Sequence, residues 1–248
     1  MHFEWIVKAL ERGKHVLCEK SITTRVDQVR EVQRLAEQKG LWVMEGFMYR
    51  YHPSFRQILE YVQSDRIGTI QNIQVARAAR QADPHDIRLQ PALGPGVMGD
   101  VGCYCLNFCR ALVGYEPASW HAHVRYDRQG VDMEALVLLV FAPQQTAQIF
   151  CSFTTNGSFA SITGANGCLH IREPFETRAG RTDFLYLPTD GQPPTRVDVA
   201  ADQTGHALEI EDFSQSILAH RPPHLSLDDS IGNLAILQDV VEHSQPLR

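Results

Sequence analysis

The sequence predicts an α/β segment followed by an α+β domain built on a large, mainly antiparallel sheet. Two patterns and the composition lead there. As far as about residue 49, amphipathic stretches of helical period alternate with short apolar runs, the layering expected of helices on a parallel sheet. Beyond residue 69, runs of strand length follow one another with only Gly, Pro, Asp and Asn turns between them, which favours antiparallel or mixed pairing. With 248 residues, 44 % hydrophobic and 21 % charged, the chain can bury a core without disulfide staples.

The first helix is expected over 2–12, with Trp5, Ile6, Ala9 and Leu10 on one face and Gly13 as its stop. His15-Val16-Leu17-Cys18 reads as a buried parallel strand. A helix over 25–39 turns Val29, Val32, Leu35 and Ala36 inward and ends at Gly40. Leu41-Trp42-Val43-Met44 opens a second buried strand, and a helix over 53–63 precedes Gly68. Strands are then expected over 70–76, 119–126, 134–141, 147–154, 160–163, 168–171 and 184–187. A helix over 100–113 interrupts them, and two more, 207–220 and 226–243, close the chain around the Pro222-Pro223 breaker.

Charge and composition exclude several classes. Twenty-nine acidic residues against twenty-three basic give a net charge of −6, without the basic footprint of a nucleic-acid binder or a polybasic run for a membrane surface. The longest apolar run, 135–142, is far short of the roughly 18 residues of a spanning helix, and the charged, amphipathic start does not read as a secretory signal. The six cysteines, at 18, 103, 105, 109, 151 and 168, are too scattered for a disulfide scaffold and point to a reducing cytoplasm. Cys103, Cys105 and Cys109 lack zinc-ligand spacing and read as small buried hydrophobes, while His121 and His123 share one face of a strand.

Gly94-Pro95-Gly96-Val97-Met98-Gly99 fits GxGxxG, but a dinucleotide loop needs an apolar strand leading in. The preceding residues are polar and broken by Pro84 and Pro91, so these glycines read as an approach to the helix that starts near Asp100. No other glycine-rich phosphate loop occurs in the 248 residues.

Three stretches carry a family resemblance. Gly13-Lys14-His15-Val16-Leu17-Cys18-Glu19-Lys20 resembles the GKHVLCEKP segment of the glucose–fructose oxidoreductase / inositol dehydrogenase (Gfo/Idh/MocA) family. Met44-Glu45-Gly46-Phe47-Met48-Tyr49-Arg50-Tyr51-His52-Pro53 is similar to the exit from the nucleotide domain in its glucose–fructose oxidoreductase, xylose dehydrogenase and dihydrodiol dehydrogenase branch. Asp100-Val101-Gly102-Cys103-Tyr104 resembles the same branch's D-x-G-x-Y. The resemblance implies the C-terminal remnant of an NAD(P)-binding Rossmann domain over 1–49, its front half with the glycine-rich loop missing. A substrate-binding and dimerisation domain follows over 50–248.

By the same resemblance Lys20, Tyr104 and Asp100 are the catalytic residues, and Glu19, Lys20 and Arg50 face the cofactor, NAD or NADP. Oxidising a carbinol requires a base for the hydroxyl proton while nicotinamide takes the hydride. A tyrosine is a poor base at its ordinary pKa near ~10, and a nearby ammonium lowers that value. Lys20 would also steady the substrate oxygen, and Asp100 would hold Lys20 or a second hydroxyl. Taken singly, Lys20 reads as a solvated strand-end lysine, Tyr104 as a core aromatic and Asp100 as an N-cap. Ser21 stands where the family has proline, which loosens the expected positioning of Lys20.

The function expected is an NAD(P)-dependent oxidation of a hydroxyl on a small polyhydroxylated substrate, a sugar or a cyclic diol, present in truncated form. The alternatives are a non-catalytic relative serving as a sugar-binding or dimerisation module, or a structural partner of a full-length relative. With the phosphate loop missing, weak or no binding of NAD(P)H is expected. The apolar run at 134–141 is expected to be buried by pairing of two sheets in a homodimer.

Overall fold

The structure is a computed structural model and describes residues 1–81, 83–91, 96–141 and 144–246. Helix α1 (His2–Glu11) leads into strand β1 (Val16–Glu19), and α2 (Val26–Lys39) into β2 (Val43–Gly46). The two strands pair in parallel, Val16 opposite Val43 and Glu19 opposite Gly46. Helices α1 and α2 cover them through Ile6, Leu10, Val29, Val32 and Ala36, a small core of its own. Trp5, expected on the buried face, is 64 % exposed. The packed stripe runs Phe3, Ile6, Leu10 at three- and four-residue spacing, which turns Trp5 outward under the Lys8 ammonium.

A short 3₁₀ turn, Met48–Tyr51, connects β2 to α3 (Pro53–Gln63). Pro53 suits the first helical position, and the His52 ring nitrogen accepts the Ser54 amide at 3.3 Å. The second unit is a nine-stranded sheet in the order β10-β9-β8-β7-β3-β6-β5-β4-β11. Its central strand is β3 (Ile70–Ala78), flanked by β7 (Gly157–Gly164) and β6 (Thr146–Ser152). Strands β4 (Ser119–Tyr126) and β5 (Asp132–Val140) extend the sheet on one side, ending in the two-residue β11 (Gln245–Pro246). Strands β8 (Gly167–Ile171), β9 (Gly180–Pro188) and β10 (Thr195–Ala201) extend it on the other. Neighbours are antiparallel except at β3–β6 and β4–β11. Strand β10, absent from the expected elements, is an edge strand whose inward Val197, Val199 and Ala201 alternate with Arg196, Asp198 and Ala200.

Helix α4 (Cys103–Val113) packs on the inner face of this sheet, and α6 (Leu227–His243) packs on α4 and on β4. Helix α6 serves both cores: Leu227, Ile231 and Leu234 join the small one, Ile236, Leu237 and Val240 the large one. Helix α5 (Gly205–Leu218) lies on the Met48–Tyr51 turn. The opposite face of the sheet is open. Strand β5 alternates, with Ala135, Val137 and Leu139 buried while Leu136 and Leu138 are exposed, so its apolar run does not mark a strand buried on both faces within the chain. Cys103, Cys105 and Cys109 are buried free thiols, and His121 and His123 stand on the open face opposite Leu138 and Leu136.

Candidate functional site

The chain leaves β1 through Lys20, Ser21 and Ile22, each fixed by a different element. The Lys20 ammonium donates to the carboxylate Oδ1 of Asp100 and to its backbone carbonyl, both at 2.7 Å. The Ser21 hydroxyl donates to the Gly99 carbonyl at 3.0 Å, and the Ile22 amide to the buried Glu45 carboxylate at 2.9 Å. The looseness expected from serine in place of proline is therefore absent. Hydrogen bonds to two other segments do the positioning.

Asp100 lies in a wide π turn, Met98–Gly102, that leads into α4. It is not an N-cap, because both carboxylate oxygens are engaged by cations. Lys20 takes Oδ1, and the Arg88 guanidinium donates to Oδ2 at 2.9 Å while also gripping Asp86. Asp132 fixes the turn from the sheet, its buried carboxylate accepting the Met98 amide at 2.8 Å. Burial pushes the Asp132 carboxyl up to about 6, against those amide bonds. Gly96 makes this possible: its φ is +65°, and a Cβ there would stand 1.4 Å from an Asp132 oxygen. Gly96, Val97, Met98 and Gly99 thus wind into α4. Gly94 and Pro95, like Ala82, Ala92 and Leu93 of the preceding loop, lie outside the described residues.

Tyr104 follows Asp100 by one turn and is 4 % exposed. Its ring packs edge-on to Phe47 at 5.6 Å and against Phe175 at 5.5 Å. The Lys20 ammonium lies 5.0 Å and the Arg77 guanidinium 4.4 Å from the ring centroid. The hydroxyl donates to the Met48 sulfur at 3.5 Å. Burial raises the phenol above its ordinary range, which reverses the expected lowering by lysine. Desolvation wins because Lys20 meets the ring rather than the oxygen, and its charge is already spent on Asp100.

Lys20, Asp100 and Tyr104 therefore converge. Glu19 is exposed at the end of β1 beside them. Arg50 is placed differently: its guanidinium donates to the Asn107 side chain at 3.2 Å and stacks over Phe55. Among the described residues it makes no hydrogen bond to Lys20, Asp100 or Tyr104. Asn107 also accepts the Tyr49 hydroxyl and donates to Asp229, which binds Arg110. This network ties α4 to α6 behind the site. Arg88 and Arg77 were missed in the sequence, and no local pattern marks either. Beside Tyr104, Arg77, Ser158, Glu173, Phe175 and Glu176 line a cavity of about 220 Å³.

For a nicotinamide cofactor the residues present fit one end only. The C-terminal ends of β1 and β2, with Lys20 between them and Tyr104, are where a parallel sheet of this kind receives the reactive ring. The pyrophosphate finds no cradle in Gly96–Met98, since the Met98 amide is already taken by the Asp132 carboxylate.

Comparison with known proteins bears on the whole site. Residues 1–47 match the family model described as an oxidoreductase family with an NAD-binding Rossmann fold, and residues 55–170 match the GFO/IDH/MocA C-terminal domain. The chain belongs to the Gfo/Idh/MocA family of oxidoreductases. Members of this family are NAD(P)-dependent oxidoreductases. The D-xylose 1-dehydrogenase (NADP(+)) 2 of Haloferax volcanii is 28 % identical over 99 % of this chain and 75 % of its own length. A 3-ketoreductase from Actinomadura kijaniata, solved with NADP and TDP-benzene, superposes with a TM-score of 0.91 at 26 % identity, over 99 % of this chain and 76 % of its own. An aldose–aldose oxidoreductase from Caulobacter crescentus, complexed with glycerol, shares the fold with a TM-score of 0.91 at 22 % identity, over 97 % of this chain and 73 % of its own. Among the described residues, no helix is long and apolar enough to cross a membrane.

Proposed function

We propose that this Gfo/Idh/MocA chain carries the substrate side of an oxidoreductase for a small polyhydroxylated compound, an aldose or a cyclic trans-diol, with Lys20, Asp100 and Tyr104 as its reacting centre. The observation that carries this reading is the pair of hydrogen bonds from Lys20 to Asp100, 80 positions away, beside the ring of Tyr104. Nicotinamide, when bound, supplies the hydride acceptor or donor. Two of the three Lys20 N–H donors are spent on Asp100, which leaves the third for the substrate oxygen, where it steadies negative charge while the proton passes between that oxygen and Tyr104, given by the phenol in reduction and taken by the phenolate in oxidation. The Tyr104 hydroxyl, kept protonated by burial, suits a hydrogen bond to that same oxygen once it leaves the Met48 sulfur. The cavity beside it offers a polyol polar groups, among them the Glu173 carboxylate and the Ser158 hydroxyl, which has no partner among the described residues.

Several finer readings belong with this one. The NADP-dependent name of the xylose dehydrogenase and the NADP in the ketoreductase structure favour NADP over NAD. Glu19, Lys20 and Arg50 are the cofactor-facing residues of this chain, Arg50 being held by its hydrogen bond to Asn107. The division at 49/50 separates the nucleotide side from the substrate side. The open sheet face, with Leu136, Leu138, Phe150, Phe159 and Leu185 exposed, is the surface of a homodimer in the cytoplasm. Occupation of the Met98 amide by Asp132 favours a second reading for the 248 residues by themselves, a sugar-binding or dimerisation module without turnover.

Turnover of D-xylose with NADP⁺, together with NADPH fluorescence titration, decides between them. The oxidoreductase reading expects Tyr104→Phe to lower kcat at least a hundredfold while the NADPH titration hardly moves, and Lys20→Met, at a residue that also faces the cofactor, to lower kcat as far and to weaken NADPH binding. Unchanged kcat in both variants would remove these residues from the reaction.

A further inference from the structure

Glu209, in the second turn of α5, is 4 % exposed, and among the described residues its Oε1 has no hydrogen-bond partner. Buried polar atoms are almost always satisfied, so an orphan carboxyl oxygen points to a missing partner. Glu45 makes the contrast: it is equally buried, one residue before Gly46, and accepts the Ile22 amide.

The orphan oxygen is buried next to the strands that carry the site. A Cβ on Gly46 would stand 3.5 Å from both Glu209 oxygens and 3.3 Å from the Cys18 carbonyl, so the carboxyl lies against the ends of both parallel strands. The Phe47 amide donates to the carboxyl, which leaves Oε1 as its unpartnered atom among the described residues, and Glu19, the register partner of Gly46, presses on it with its own negative charge. Lys20 directly follows Glu19, and Met48, two residues beyond Gly46, holds the Tyr104 hydroxyl. Ligands of open parallel sheets bind outside the carboxyl ends of the strands, which is where this group stands. Burial and the Glu19 charge push the Glu209 carboxyl up to about 8, so at neutral pH it is a neutral acid with one donor and one acceptor. Such a group matches an amide or a hydroxyl, and the adjacent Glu19 disfavours an anion.

We infer that Glu209 is a ligand-binding residue, presenting its unpartnered carboxyl oxygen at the ends of β1 and β2 to an uncharged amide or hydroxyl of the bound molecule. The inference rests on the functional reading above, which places a ligand beside Lys20 and Tyr104. Either the nicotinamide carboxamide or a substrate hydroxyl supplies that chemistry.

Infrared difference spectroscopy of the 248-residue chain against Glu209→Gln tests it at neutral pH. A protonated-acid carbonyl band present in the wild type and lost in the variant is expected, and it should shift on adding NADPH or on adding D-xylose. The probe that moves the band names the source. Glu209→Leu should raise the dissociation constant or KM for that probe roughly tenfold, the worth of one buried hydrogen bond, while Glu209→Gln, which keeps a donor and an acceptor, stays within about threefold. A band that neither probe moves, or equal losses in both variants, overturns the inference, even where Tyr104→Phe and Lys20→Met abolish turnover. If those two variants instead leave turnover intact, the functional reading fails on its own evidence and this inference falls with it. Thermal melting of both variants separates a merely structural role, which lowers Tm and leaves the ligand constants unchanged.

Discussion

Lys20 and Asp100 are joined twice, through the carboxylate and through the backbone carbonyl, each at 2.7 Å, with both side chains only 14 % exposed. The pair is asymmetric, because Arg88 also holds Asp100 while Asp100 is the sole carboxylate in ion-pair contact with Lys20 among the described residues. Removing either partner therefore has different consequences.

Asp100→Ala leaves the Lys20 ammonium, poorly solvated, without its carboxylate and near the Arg88 guanidinium, which keeps Asp86. It should lower stability by about 3 kcal/mol, the usual result of orphaning a buried charge. Lys20→Met leaves Asp100 paired with Arg88 and should cost no more than about 1 kcal/mol. Urea denaturation measures both, and equal losses would contradict the asymmetry.

Gly96→Ala attacks the same turn from the sheet side. The new Cβ would require Asp132 to move off the Met98 amide and would strain a left-handed backbone. A loss of about 2 kcal/mol is expected. Hydrogen exchange should show the Met98 amide losing protection in this variant; retained protection would show that the turn holds without Asp132.

Stability should fall as pH rises above neutrality. Burial raises the folded-state pKa of Asp132 to about 6, Glu45 to about 7 and Glu209 to about 8. The folded protein thus keeps protons that the unfolded chain has already lost. Their contribution is full below the ordinary carboxyl range and disappears as pH passes each folded value. His52 and His224, lowered by burial, act oppositely, favouring the folded state as pH rises towards their unfolded value. Above a pH of about 6.5 the carboxyls prevail, and a decline on the order of 2 kcal/mol by about pH 8.5 is expected in urea titrations. Glu209→Gln should flatten the upper part of that decline.

The open sheet face is the surface of the proposed homodimer. Leu138→Asp places a charge opposite His121 on that face without touching the core beneath. Sedimentation velocity at micromolar concentration should show a wild-type dimer and a variant monomer with unchanged circular dichroism. A monomeric wild type would remove the proposal.

Much of the fold was legible because its signals are local. The helix over 53–63 and the strand over 119–126 were read with the bounds the structure shows, since a proline start and clear turn residues mark them. Strand β10 escaped because an edge strand of seven residues carries only two large apolar side chains, Val197 and Val199, and its alternation lapses at Ala200-Ala201. Trp5 was misplaced because a helical face is a matter of phase, and neighbours about 100° apart differ in burial.

By itself, then, the sequence determined the alternation of elements and the family, and it singled out Lys20, Asp100 and Tyr104 as candidates, because periodicity and motif order are properties of the chain. Tertiary structure decided what those residues touch. Arg88 on Asp100, Arg77 on the Tyr104 ring and Glu209 against Gly46 come from distant segments brought together by packing. It also decided the protonation of the site. Whether an ammonium lowers a phenol or burial raises it depends on a few ångströms of placement and on the water excluded between them, which no spacing in a sequence encodes.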